Sequence, residues 1–259
     1  MEITLEKVQK CLAIIDQGLV KGKGNPKPGQ LCVEAAICLG LGLPHSDDPE
    51  CVSRPLRSFK ISINDSNWSS NEARAKGLRR LALVQLGSRG VLDDAEFVRR
   101  IVDLAIRKWT PAALRSAASC HPNPDHQKAL IEAAERCERD GDKAAAYAAA
   151  YAADAADAAY SADAAYAAYA ADAAAYAADA ADAAYAADAA YAADAAYAAA
   201  YAADAAYAAY SADAAYSADA AYAARDKALA EFAEDVVRIL IDMKAPGCAW
   251  LPLTEAQAA

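Results

Sequence analysis

Apolar residues recur every three to four positions through residues 1–142, in short stretches separated by Gly, Pro, Asn and Asp. That period puts them on one side of an α-helix, which turns about 100° per residue. Leu5, Val8, Leu12, Ile15 and Leu19 form the first stripe, behind Thr4 as N-cap, and the loop GKGNPKPG (22–29) ends it. Gln30 to Leu41 predicts a short buried helix. Asp48-Pro49 predicts a cap and first helical position, with Pro55 limiting regularity over residues 50–63 and NDSNWSS (64–70) forming a loop. Ser69-Ser70-Asn71-Glu72 is a capping box for a helix that carries Leu78, Leu81 and Leu86 and stops at Gly87. Asp93-Asp94-Ala95-Glu96 opens the next, with Phe97, Ile101, Leu104 and Trp109 in its pattern. Thr110-Pro111 and Asn123-Pro124 each pair an N-cap with a proline at the first helical position. No alternating strand pattern of comparable strength occurs, so an all-α head is expected, as an orthogonal bundle or a HEAT-like stack.

The pattern changes at Tyr147. Residues 147–222 contain only Ala, Tyr, Asp and Ser, in units of 25 residues (147–171, 172–196, 197–221) that agree at 20 positions. All 14 tyrosines of the chain lie here, and no Leu, Ile, Val or Phe does. Tyr or Asp recurs at a mean spacing of about 3.1 residues, short of the helical 3.6. Over a whole unit the marks therefore spiral round the axis and leave no apolar face, which argues against coiled-coil pairing. The alanine content and the absence of Gly and Pro from Lys143 to Ala245 favour helix. The simplest expectation is one long solvated Ala/Tyr/Asp-repeat helix, a rod of about 115 Å. A fold-back of Ala helices and a solenoid are the alternatives. A short DNA repeat expanded by slippage also accounts for the segment.

An ordinary amphipathic helix returns at RDKALAEFAEDVVRILIDMK (225–244). Leu229, Phe232, Val236, Leu240 and Met243 line one face. That face must be covered, either by another chain if the repeat is a straight rod, or by the chain's own head if the repeat returns. The partner-binding expectation takes the first option and assigns these five residues to a protein partner or to self-association as a homo-oligomer. The expected organisation is a compact helical head (1–142), the tandem repeat (143–224) and a C-terminal amphipathic helix with its tail (225–259).

Charge follows the same division. The net charge is −10, and the repeat holds 11 aspartates and no cation, leaving the rest close to neutral. Nucleic-acid binding is disfavoured, because it wants a net-basic domain or interleaved aromatics. DNA mimicry fails on density: one aspartate per about 10 Å of rod, against one charge per about 1.7 Å of duplex. No apolar run is long enough to span a membrane. Seven cysteines without CxxC spacing, behind an N-terminus lacking a signal core, are expected to be reduced thiols of a cytoplasmic protein.

No motif names a reaction. In GLVKGKGN (18–25), Gly18 and Gly22 are one residue too close for a phosphate loop and Gly24 stands where Ser or Thr is needed. Cys120, His121, His126 and Cys137 offer soft ligands without zinc spacing, and His45 with Cys51 is weaker. Asp47, Asp48, Asp65, Asp93 and Asp94 fit caps and turns better than metal or acid–base work. Arg79-Arg80, Arg99-Arg100 and Arg107-Lys108 are expected on solvated faces. No catalytic, cofactor or metal residue is assigned.

PHSDDPECVSRPLRSFKISINDSNWSSNEARAKGLRRLALVQLGS (44–88) and APGCAW (245–250) resemble uncharacterised proteins of tailed phages and prophages, which also place an alanine-rich stretch between a helical head and a final amphipathic helix. The resemblance implies the host bacterial cytoplasm and no assigned activity. Together these readings lead to a non-enzymatic, phage-type interaction or scaffold protein with the repeat as helical spacer. The alternative is a small phage enzyme or nucleotide-binding protein acting on host metabolism or defence through the head.

Overall fold

A computed structural model describes residues 2–157, 169, 171, 204 and 218–255. Among these the chain is all-α. The helices are α1 (Leu5–Ile15), α2 (Val33–Leu41), α3 (Arg54–Asn64), α4 (Asn71–Val84), α5 (Asp94–Leu104), α6 (Thr110–Cys120), α7 (Pro124–Asp140), α8 (Lys143–Asp157), α9 (Ala218–Asp242) and α10 (Pro252–Glu255). A π-helical turn, Ala105–Trp109, joins α5 to α6, and a 3-10 turn, Pro246–Trp250, precedes α10.

Four helix starts follow local chemistry. Thr4, Ser70, Asp93 and Asn123 each accept a backbone N–H of the helix they precede, satisfying donors with no partner inside the helix. Two starts differ from the sequence expectation. Asp48-Pro49 opens no helix; Ser53 caps α3 through a 3.4 Å bond from the Leu56 amide, and Pro55 sits in its first turn. Proline is favourable there because that amide needs no intrahelical partner. Thr110 caps nothing, and its buried hydroxyl has no hydrogen-bond partner. The chain stays helical through it, since Trp109 is itself in the helical region. Pro111 lacks an N–H and its ring would strike the carbonyl one turn earlier; the wide turn immediately before it relieves that conflict.

Packing begins with α1 on α2. The two approach so closely that a Cβ on Gly40 would lie 2.4 Å from Cys11 Sγ and 2.7 Å from Cys11 Cα. Helices α6 and α7 form an antiparallel pair whose far end is closed by Arg107. Its guanidinium donates to the carbonyls of Glu138, Arg139 and Asp140, the unsatisfied last turn of α7. Gly141 follows at φ 62°, and a Cβ there would meet the same guanidinium at 2.1 Å.

The repeat enters the fold as α8, against α6 and α7. Ala145, Ala146, Ala149, Ala150, Ala153 and Ala156 are buried in the common core, while Tyr151 is 73 % exposed. For this first stretch of the repeat the expectation of no apolar face does not hold. A spacing near three drifts slowly, so Tyr147, Tyr151 and Asp154 stay within about 60° of one another over two turns. The opposite side is alanine alone, short enough for close helix approach.

The C-terminal segment lies on the head. Helix α9 packs along α4 and touches α5, and the 3-10 turn packs on α4. Arg79 reaches Asp16 at 2.7 Å and the Thr254 carbonyl at 2.7 Å, and Arg80 reaches Glu234 and Glu255 at 3.1 and 3.4 Å. The Arg79-Arg80 and Arg107-Lys108 pairs expected on solvated faces are thus tertiary ties. Arg99 and Arg100 do hold a surface position, both on Glu96.

Candidate functional site

The five residues assigned to a partner lie against the chain's own head. Leu229, Phe232, Val236 and Leu240 are buried in the main core, and Met243 packs half-buried at its edge. Of the two covers open to this face, the structure has the head. The face meets Trp109, whose ring lies 4.8 Å from Phe232 and 6.2 Å from Phe59, both tilted as aromatic pairs prefer. Beside Phe232 the buried carboxylate of Asp235 accepts from Lys108 Nζ at 2.5 Å, Trp109 Nε1 at 3.4 Å and Arg238 at 3.2 Å. The wide turn brings Lys108 and Trp109, neighbours in sequence, to one carboxylate.

Both ends of the repeat are therefore held by one core. A straight rod with the head at one end and α9 at the other is not the arrangement, and α9 runs from Ala218 across the expected boundary at 224. The form of most of the repeat lies outside the described residues. At its entry, His121 is buried in the turn between α6 and α7. Its Nδ1 accepts the Asn123 amide at 3.1 Å, so Nε2 carries the proton it shares with the Ala156 carbonyl at 3.2 Å. A third contact comes from the last unit. Asp204, with its side chain 15 % exposed, accepts from Asn67 at 3.3 Å and lies 3.7 Å from Arg225. Burial raises its carboxyl pKa.

Next to these contacts, α4 and α9 enclose a groove of 480 Å³. Its apolar lining combines small residues, Ala73 and Gly77 on α4 and Ala223, Ala230 and Ala233 on α9, with Leu81 and Val237. Trp68 supplies the aromatic surface, its indole N–H on the Ile63 carbonyl at 2.9 Å. A Cβ on Gly77 would lie 2.3 Å from the Trp68 ring, so glycine is what admits the indole. Asp226 is held by the amide and hydroxyl of Ser69, and Arg80 and Glu234 pair across the groove at 3.1 Å.

A second polar cluster is sealed inside the head. Lys60 Nζ and Glu34 Oε1 are 3.1 Å apart with both side chains fully buried, and Gln85 donates to Glu34 at 3.3 Å. Burial raises the Glu34 pKa and lowers that of Lys60. Burial pushes the Cys11 and Cys38 thiols, and separately that of Cys137 on α7, up to about 12. All seven cysteines are free thiols.

The other candidates from the sequence do not converge. His121 and His126 stack at 4.9 Å, but both His121 nitrogens are bonded within the protein and Cys137 donates to the Ala145 carbonyl. Among the described residues no cluster of His, Cys, Asp or Glu could hold a metal ion. In the glycine loop the Gly22 amide is taken by Asp65 at 2.8 Å, a carboxylate where a phosphate would need to lie. His45 bonds the Gly24 carbonyl, Asp47 and Asp48 pair with Arg57 and Arg89, and Asp93 caps α5. No described helix is long and apolar enough to cross a membrane. No sequence motif marks Asp235 or Lys60, although both interrupt inward stripes, Lys60 between Phe59 and Ile63 and Asp235 between Phe232 and Val236. No family model, curated protein or solved structure matches the chain.

Proposed function

We propose that this is a phage-type interaction protein whose head presents the Ala/Tyr/Asp repeat to a protein partner or to a second copy of the chain. One observation carries this reading: α8 and α9 both pack in the head core, and between them Ala171 is buried in that core and Asp204 touches Asn67. The repeat is then an insertion held at both ends. It replaces the spacer, because α9 rests on the head and has nothing to be kept apart from. Tyr151, Tyr169 and Tyr222 are 73, 55 and 40 % exposed. Tyrosine offers a large contact area at low rotamer cost, which is why it recurs in binding surfaces.

The test compares the full chain with a variant in which residues 158–217 are replaced by a flexible Gly/Ser linker. Sedimentation velocity over a concentration series reads self-association, and the same two proteins as bait read partner capture. The variant should melt cooperatively near the wild-type temperature and lose both associations. Unchanged association in the variant, or an unfolded head, overturns the proposal.

The alternative of a nucleotide-binding or catalytic head has the α4/α9 groove in its favour. Thermal shifts across a nucleotide panel test it directly, and a panel without a shift removes the nucleotide version.

A further inference from the structure

The groove between α4 and α9 is lined in part by alanine and glycine, beside Leu81 and Val237, and helices meeting through small residues approach to about 8 Å. Here the Trp68 ring and the Arg80–Glu234 pair stand between them, and 480 Å³ remains. That volume lies within the range of small-molecule sites, about 300–1,000 Å³.

Charge narrows the ligand. Glu234 is paired with Arg80, which also reaches Glu255, and Asp226 accepts from two neutral donors of Ser69. Lys227 has a loose partner, Glu231, at 3.9 Å. Lys76, exposed at the rim, has no ion-pair partner among the described residues. A largely apolar trough whose acids already hold hydrogen-bond or ion-pair partners, with Lys76 as the charged group that has none, suits a molecule with a flat apolar body and a single anionic head.

We propose that this groove binds a small amphipathic anion, its apolar body between Trp68, Gly77 and Ala230 and its acidic group at Lys76. The site is independent of what the repeat binds. Binding orders the two helices that meet there, so it stabilises the seat of α9 by linkage.

The experiment uses the full-length protein and two probes, 1-anilinonaphthalene-8-sulfonate and its neutral relative N-phenyl-1-naphthylamine, read by fluorescence titration and calorimetry. The sulfonate should bind saturably at one site per chain. Ala230→Phe fills the trough and should weaken both probes at least about tenfold, a loss of about 1.4 kcal/mol. Lys76→Glu, at an exposed position that folding tolerates, should weaken the sulfonate about three- to fivefold and leave the neutral probe unchanged, as an exposed charge pair implies. Absence of saturable binding overturns the proposal. So does sulfonate binding that neither variant moves, or a Lys76→Glu effect equal on both probes.

Discussion

The indole Nε1 of Trp109 and the carboxylate of Asp235 lie 3.4 Å apart across 126 positions of sequence. The intervening chain contains the whole repeat, so this contact fixes the return point of everything after it. Asp235→Ala leaves the buried Trp109 N–H and one end of Lys108 unmatched. Losing a buried partner in this way costs about 1–3 kcal/mol. The urea midpoint should fall accordingly, and Trp109 emission should shift in native buffer. An unchanged midpoint would mean that the apolar face alone seats α9.

Gly77→Ala should destabilise the protein by about 1–3 kcal/mol, the usual cost of overpacking. The added methyl strikes the Trp68 ring at 2.3 Å. Trp68→Phe should recover part of that loss in the double variant, since it removes the struck atoms. Thermal melts of the four proteins in this cycle measure the coupling.

The Glu34–Lys60 pair separates cost from necessity. Glu34→Leu alone strands a fully buried ammonium and should lose about 3–5 kcal/mol, whereas Glu34→Leu with Lys60→Met should recover that loss apart from the bond Gln85 no longer makes. Chemical denaturation of the singles and the double decides this. A double variant as unstable as the single would show that the pair itself holds α2 to α3.

Glu96 accepts from Arg99 and Arg100, and those hydrogen bonds lower its pKa from 4.5 to about 2. A lowered folded-state pKa stabilises above the unfolded value, and that stabilisation is lost as pH falls through about 2. The pair is at the surface, so its share is below about 1 kcal/mol. Stability measured from pH 5 downward (about three units of pH) should fall less in Glu96→Gln than in wild type.

Burial holds the Cys11, Cys38 and Cys137 thiols at about 12. A thiol reacts as its thiolate, so these three should resist alkylation at pH 8 (about four units below) until the head unfolds. Mass spectrometry of peptides alkylated with and without denaturant reads this site by site.

The sequence made the fold class legible because helix starts are local events. Thr4, Ser70, Asp93 and Asn123 each act within three residues of the amide they satisfy. Pro111 misled because a proline at a helix start and a proline after a wide turn look alike in sequence. The buried alanines of α8 were hidden by averaging over a whole unit, whereas Ala145 to Ala156 span about three turns. The seat of α9 was legible as a requirement for cover, but not as a place. Asp235 and Trp109 share no local pattern, and only the folded chain sets them side by side.

The two anchors of the repeat have a consequence for heredity. Ala145 to Ala156 hold one end and Leu229 to Leu240 the other, with Ala171 and Asp204 as further contacts between them. Loss or duplication of a unit by unequal pairing leaves both anchor sequences intact. The head is then a socket for the two outer anchors, and a change in the number of units would be felt first at the contacts of Ala171 and Asp204.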